Sequence, residues 1–244
     1  MYVTWQAEAN AIRPDETLEI LNEAGAAILQ KKDGFRFGTD AVALAGFARA
    51  HIRCGKGRKG VEQMADLGTG TGIIALLMAL DTAIPTVHAI ELQPDMADMA
   101  ARSVAGNGLE GRVRVRCADL RETDKLLGCG SQDLVLSNPP YQPAGAALHN
   151  QLDAVAMARH EIHCTLEDVI LQASRLLRFG GAFCLVHRPE RLPEIFGCMR
   201  RHGLEPKQLQ MVHRAITAPP SLVLIRGLRG GKPGLHVLAP RINL

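Results

Sequence analysis

Residues 137 to 145 read SNPPYQPAG and follow directly on the apolar run DLVL. Neither Pro139 nor Pro140 can donate a ladder hydrogen bond, so a strand has to stop there. The strand gives way to stiff backbone carrying an amide, a carbonyl and an aromatic ring. An exocyclic amine conjugated to a ring is a poor nucleophile because its lone pair is delocalised. The side-chain carbonyl of Asn138 and the backbone carbonyl of Pro139 can hold the two hydrogens of such an amine. That draws the nitrogen toward tetrahedral geometry and aims its lone pair at an electrophile. Pro140 stiffens the turn, and Tyr141 can stack on the flat ring, as aromatics do with extruded bases. A rigid loop entry of no chemical consequence is the competing reading, and the neighbouring motifs decide between them.

The electrophile is suggested by ADLGTGTGIIAL, with glycines at 68, 70 and 72 between a strand and a helix. Such a turn lets backbone approach a ligand at a helix N-terminus. The dinucleotide fingerprint G-x-G-x-x-G requires a glycine where Ile73 stands. Asp66, two residues ahead of the first glycine, suits the positive end of S-adenosylmethionine better than a pyrophosphate. Glu91 and Asp119 end the next two β-like runs. Glu91 can accept both hydroxyls of a ribose, and Asp119 can accept from an adenine amino group. Any one of these acids alone reads as a helix cap. Three at successive strand ends, beside a glycine loop, read as one crevice.

The elements that must position these residues are legible as an alternation. VEQMADL (61–67), TVHAIEL (86–92), RVRVRCA (112–118), DLVLS (133–137) and AFCLVH (182–187) have strand character. Gly72–Leu80, Pro94–Asn107 and Leu166–Leu177 carry helical periodicity. Strands alternating with helices predict an α/β fold, a parallel sheet with helices on both faces. QLQMVHRAI (208–216) and SLVLIRGL (221–228) flank Pro219-Pro220 and predict a closing antiparallel pair. Upstream, Leu18–Leu21 and Ala26–Gln30 predict a small hairpin, and DGFRFGTDAVALAGFARA a loop opening a helix capped by Thr39 or Asp40. RCGKGRKG (53–60) is a basic connector. No linker marks a second large domain, so 1–244 reads as one domain with residues 1–60 as an extension packed on it.

Composition narrows the class. The chain is 47% apolar and 22% charged, which suits a globular protein. No signal peptide is visible, and the apolar run Ile73–Leu80 is too short to cross a bilayer. Six cysteines show no metal-ligand spacing and read as reduced core residues of a cytoplasmic protein, with no metal expected. The net charge of +3 hides an asymmetry: from Arg175 onward there are 12 Lys and Arg against 3 Asp and Glu, a net of +9, whereas the first 174 residues carry a net of −6. A basic third that includes Arg200, Arg201, Lys207, Arg226, Arg229 and Lys232 predicts contact with a polyanion.

DLGTGTG, AIEL, CADL and SNPPY resemble the motifs of class I S-adenosylmethionine-dependent methyltransferases acting on exocyclic or amide nitrogen. The resemblance implies a Rossmann-like seven-stranded sheet, order 3-2-1-4-5-7-6, with strand 7 antiparallel. It implies cofactor contacts from Asp66, Gly68, Thr69, Gly70, Gly72, Glu91 with Leu92, Asp119 with Leu120, and Asn138. The target amine is assigned to Asn138, Pro139, Pro140 and Tyr141. Over nearly the whole chain the sequence is similar to the bacterial tRNA (adenine-N6)-methyltransferase group, whose members modify the adenosine 3′ of the anticodon in a valine tRNA. LEILNEAGAAILQKKDGFRFGTDAVALAGFA, the RHE at Arg159–Glu161 and LEDVILQASRLLRFGGAFCLVHRPERL carry that similarity. It implies a tRNA partner and places Phe37, Gly38, Thr39 and Asp40 at the methionine end of the cofactor. Gln142-Pro143 departs from the pattern and leaves the choice of RNA open. His160 and Glu161 read either as lining for the target base or as a capping cluster for the helix near Leu166. An rRNA guanine-N2 enzyme is an alternative because guanine also offers an exocyclic amine, and a protein glutamine methyltransferase is another because it uses the same tetrapeptide. The glutamine methyltransferases resemble one another in carrying a helical substrate domain before the glycine loop, whereas the 65 residues before Asp66 here read as a hairpin plus one helix. A catalytically silent RNA-binding protein would be free to lose Asn138 or Glu91, and both are present.

Overall fold

A computed structural model describes residues 12–34, 36–52, 60–141 and 164–242. It opens with an antiparallel hairpin, β1 (Glu16–Ile20) and β2 (Ala27–Lys31), followed by α1 (Thr39–Ala50). The alternating core runs β3 (Gln63–Leu67), α2 (Ile73–Asp81), β4 (Thr86–Glu91), α3 (Pro94–Gly106), β5 (Val113–Cys117), α4 (Thr123–Leu127) and β6 (Gln132–Ser137). After the tetrapeptide come α5 (Leu166–Leu176), β7 (Leu177–His187), α6 (Leu192–Arg201), β8 (Leu204–His213) and β9 (Pro220–Arg229). Two short strands, β10 (His236–Val237) and β11 (Arg241–Ile242), complete the chain.

The large sheet has the order β10-β8-β9-β7-β6-β3-β4-β5. β3 to β7 are mutually parallel, and β9 runs antiparallel between β7 and β8. This is the expected seven-strand order with its antiparallel member. Beyond the expected seven, β10 and β11 both pair with the outer edge of β8. β8 would otherwise present an unpaired edge, the usual site of unwanted strand addition.

Alternate residues of one strand enter opposite cores, as a pleat buried on both faces requires. Met64, Leu134, Leu136, Cys184, Val186 and Leu224 join Leu44, Phe47 and Ile74 on one face. Ala65, Val135, Phe183, Leu185 and Ile225 join Ile170, Ile195 and Met199 on the other. The sheet is thereby fixed between α1 and α2 on one side and α5 and α6 on the other. The hairpin docks on α3 through side chains that satisfy its backbone: Ala27 N–H donates to Asn107 Oδ1, Asn107 Nδ2 donates to Ala27 C=O, and Leu29 N–H donates to Ser103 Oγ. Arg102 on the same helix grips the buried Glu16 carboxylate with two nitrogens.

Two expectations are corrected. The N-cap of α1 is Gly38, so Thr39 and Asp40 lie in the first turn, because the Asp40 carboxylate is drawn to partners across the crevice. Cys117 and Cys129 are exposed, and only Cys184 and Cys198 are buried among the described cysteines. α5 is capped by Thr165 and Asp168 in a reciprocal capping box; His160 and Glu161, weighed as a cap for this helix or as lining for the target base, lie outside the described residues. So do Gln142-Pro143 and the basic connector. No helix among the described residues is long and apolar enough to cross a membrane.

Candidate active site

The carboxyl ends of β3, β4, β5, β6 and β7 lie along one edge, since these strands are parallel neighbours. In an open α/β sheet ligands bind outside that edge. The glycine loop leaves β3 there. Gly68, Gly70 and Gly72 all have positive φ, at 73°, 59° and 93°. A Cβ on Gly68 or Gly70 would meet nothing within 4 Å, so the space in front of the loop is open to a ligand. Gly72 instead faces Ala100 of α3, where a Cβ would come to 3.2 Å of the methyl group, so it serves helix packing.

Asp66 stands behind this loop, wholly buried, and accepts the Thr69 hydroxyl at 2.5 Å. The reading that sets its carboxylate against a ligand's positive end is therefore changed: no surface of Asp66 is open to direct contact, and it braces the loop instead. Burial pushes its pKa from 3.8 up to about 7; the Thr69 hydroxyl and the Ala75 backbone N–H oppose that rise, and the Glu91 charge adds to it. With the folded pKa above the unfolded one, the cost of a buried carboxylate is fully present above about pH 7 and fades as pH falls toward 4. Asp66→Asn should accordingly stabilise the ligand-free protein at pH 8 and change little near pH 4. Urea unfolding at the two pH values measures this, and a loss of stability at pH 8 would mean that the ionised form is needed to hold Thr69.

Glu91 is buried at the end of β4, with Oε2 accepting Gly70 N–H at 2.8 Å and Oε1 accepting Gln93 N–H at 2.9 Å. One carboxylate thus ties the glycine loop to the turn after β4. Two of its four lone-pair sites are used, and two are left to accept hydroxyls. The neighbouring Leu92 keeps 39% of its surface exposed, an apolar face beside the carboxylate. Asp119 has the role of a cap and ion pair: it accepts Arg121 N–H at 2.9 Å and is gripped by the Arg121 guanidinium at 2.5 to 3.1 Å. Any adenine amino group that reaches Asp119 has to share it with Arg121. Leu120 packs partly buried against the α5 core.

The tetrapeptide sits beside the glycine loop because the Ser137 hydroxyl donates to Leu67 C=O at 2.8 Å, joining the ends of β6 and β3. Asn138, Pro139, Pro140 and Tyr141 are all half-buried. Across the crevice, α1 brings Asp40 against them. Asn138 Nδ2 donates to Asp40 Oδ2 at 3.1 Å, and the Tyr141 hydroxyl lies 2.6 Å from the same oxygen and 2.7 Å from Asn138 Oδ1. Burial, reinforced by the Asp40 charge, pushes the Tyr141 phenol well above its ordinary range, so it stays protonated. Phe37 anchors the loop before α1, its N–H donating to the buried Gln30 at 2.9 Å. Gly38 and exposed Thr39 continue that loop into the helix.

Two site residues went unread in the sequence. His187 ends β7 and packs edge-on against Tyr141, with ring centroids 5.3 Å apart. Its Nδ1 accepts Arg188 N–H, so Nε2 carries the proton, and this buried donor has no partner. Burial, with Arg191 nearby, lowers its pKa to about 4, so it is neutral at pH 7. The Arg188 guanidinium lies 5.1 Å from the Tyr141 ring centroid. The strand-end rule that exposed Glu91 and Asp119 points equally to the end of AFCLVH, had it been extended there.

Among the described residues one trio of potential metal ligands, Glu167, Cys198 and His202, comes within 4.8 Å. The Glu167 carboxylate is already paired with His202 at 2.9 Å and Arg201 at 3.3 Å. Burial pushes the Cys198 thiol up to about 11, away from the thiolate that a metal needs.

Over residues 56–196 the chain matches the methyltransferase small domain family. It is 33% identical over 164 residues to a tRNA1(Val) (adenine(37)-N6)-methyltransferase of Porphyromonas gingivalis, covering 66% of this chain and 61% of that protein. The match thus spans about three fifths of this relative's length. Among solved structures the chain is similar to a predicted O-methyltransferase from Agrobacterium tumefaciens, with TM-score 0.60 and 23% identity over 74% of this chain and 79% of that one. It is also similar to Methanocaldococcus jannaschii Trm5 in complex with adenosine, with TM-score 0.61 and 14% identity over 89% and 56%. At these identities the solved structures speak for the fold.

Proposed function

The chain belongs to the methyltransferase small domain family, and from that premise we propose that it methylates the exocyclic N6 amine of an adenine in tRNA, using S-adenosylmethionine. The favoured nucleotide is the adenosine 3′ of the anticodon of a valine tRNA, in keeping with the relative's name, and the favoured compartment is the cytoplasm.

The residues present fit that cofactor. Open space fronts Gly68 and Gly70, Glu91 retains lone pairs for ribose hydroxyls, and Leu92 offers an apolar face for adenine. When bound, S-adenosylmethionine supplies an electrophilic methyl group. This chain's own residues do the rest. Asn138 Oδ1 and the Pro139 carbonyl accept the two amine hydrogens and orient the nitrogen lone pair. Tyr141 offers its ring to the base, with Arg188 close enough to meet a flanking phosphate. The amine proton becomes acidic once the nitrogen is alkylated, so no strong base has to stand beside it. The observation that carries this reading is the placement of Asn138 and Tyr141 at the end of β6, next to the glycine loop and held across the crevice by Asp40.

For the RNA, the expected basic face is smaller than the count of cations. Arg175, Arg178, Arg200 and Arg201 are paired with Asp124, Asp133, Glu205 and Glu167. Arg226 is part-buried and donates to Gln208, while a buried nitrogen of Arg229 has no partner, so neither is a clean surface probe. Arg214 and Lys232 are exposed and are better ones.

The test is transfer of tritiated methyl to unmodified bacterial tRNA, followed by nucleoside chromatography. N6-methyladenosine should appear, and its absence with every tRNA would remove this reading. Arg214→Glu with Lys232→Glu should weaken tRNA binding and make the slope of log affinity against log salt shallower by about 0.9 for each phosphate no longer neutralised. Discrimination among tRNAs should persist, since phosphate contacts position and base contacts specify.

A further inference from the structure

Asp40 is assigned by resemblance to the methionine end of the cofactor, yet its hydrogen bonds run to the tetrapeptide. Oδ1 accepts Ala41 N–H at 2.9 Å, which fixes the carboxylate in the first turn of α1, where the helix dipole favours an anion. Oδ2 faces Asn138 Nδ2 at 3.1 Å and the Tyr141 hydroxyl at 2.6 Å.

The Tyr141 oxygen also stands 2.7 Å from Asn138 Oδ1, and this sets a problem of proton count. A phenol has one proton, and an amide oxygen has none to give. Of the two acceptors, the carboxylate is the stronger, so the Tyr141 proton goes to Asp40. Asn138 Oδ1 then keeps both lone pairs. The bond from Asn138 Nδ2 to the carboxylate also polarises the amide and concentrates electron density on Oδ1.

We propose that Asp40 is a positioning residue for the tetrapeptide: it pins the Asn138 amide and takes the Tyr141 proton, so that Asn138 Oδ1 is free to accept the target amine. This rests on the N-methyltransfer reading. Without Asp40, Tyr141 turns its proton to Asn138 Oδ1, already 2.7 Å away, and takes one of the two lone pairs, weakening the oxygen as an acceptor for the target amine.

That competition makes an unusual prediction about pairs of substitutions. Asp40→Ala should lower kcat at saturating cofactor by about 10- to 100-fold, the scale of a misplaced polar group at a reacting centre. S-adenosylhomocysteine affinity by calorimetry should stay within about twofold. Adding Tyr141→Phe removes the competing proton and should raise kcat severalfold over Asp40→Ala alone, although Tyr141→Phe in the otherwise native protein should lower kcat slightly. Asp40→Asn, closer in shape, guards against a folding defect and should show the same split. Loss of S-adenosylhomocysteine affinity with kcat retained would make Asp40 a cofactor ligand and overturn the proposal. So would a double variant slower than Asp40→Ala. The Asn138 side-chain amide resonance supplies a reading that needs no substrate. Its protons should move upfield in Asp40→Asn, and an unmoved signal would overturn the proposal. Because that signal does not depend on methyl transfer, a native protein inactive on every tRNA would sink the functional reading and leave this contact still decided.

Discussion

Asn138→Ala should lower kcat by about 10²-fold or more while leaving the cofactor bound, the usual effect of deleting a positioned polar group at a reacting centre. The substitution removes the amide oxygen that would accept from the target amine. It leaves the contact between Tyr141 and Asp40 at 2.6 Å intact, so the loop after β6 keeps a tie to α1. The Ser137 bond to Leu67 is untouched and still holds the tetrapeptide beside the glycine loop. Loss of rate can therefore be separated from loss of structure. Single-turnover methyl transfer, with S-adenosylhomocysteine affinity measured on the same preparation, gives both quantities. Full activity in this variant would show that the amine is held by other groups.

Glu91→Ala should weaken S-adenosylhomocysteine binding by about 2–4 kcal/mol, the loss of one to two hydrogen bonds to a charged acceptor. At 1.4 kcal/mol per decade, that is roughly 30- to 1000-fold in affinity. The geometry adds a second consequence. Gly70 N–H and Gln93 N–H lose their acceptor together, so the glycine loop loosens and thermal stability falls as well. Glu91→Gln retains one carbonyl oxygen and should be intermediate in both respects. Calorimetry and thermal unfolding on the three proteins separate the two roles. A fall in melting temperature with unchanged affinity would leave Glu91 as a brace for the loop and nothing more.

The sheet was legible because its strands bury both faces and announce themselves as short apolar runs between helical segments. The residues at their ends followed from a geometric rule, which is why Glu91, Asp119 and Asn138 could be placed on one edge. What could not be read was which groups those side chains would hold. Asp66 carries the right charge in the right motif but is sealed behind the loop it serves. Asp119 is bonded to Arg121, two residues on, a local choice that competes with a ligand. Asp40 and Asn138 are separated by 98 positions, and no pattern in either segment declares that they touch. Nor does sequence spacing record that hydrogen bonds from α3 side chains fasten the hairpin.

The insertion of β9 between β7 and β8 bears on how the chain is made. β8 reaches the parallel strands of the sheet only through β9, and β7 waits for the same strand on its outer edge. Leu185 pairs with Ile225, about 40 residues later in synthesis. At roughly 5–20 residues per second, a ribosome leaves the β7 edge bare for about 2–8 s after that strand is built. During that interval β8 has the preceding helix α6 to lie against but no strand joining it to β7. The last two long strands then enter as a hairpin whose inner arm arrives second. A polypeptide released early, anywhere between β8 and β9, would carry an apolar strand edge into the cell and be a natural client for chaperones.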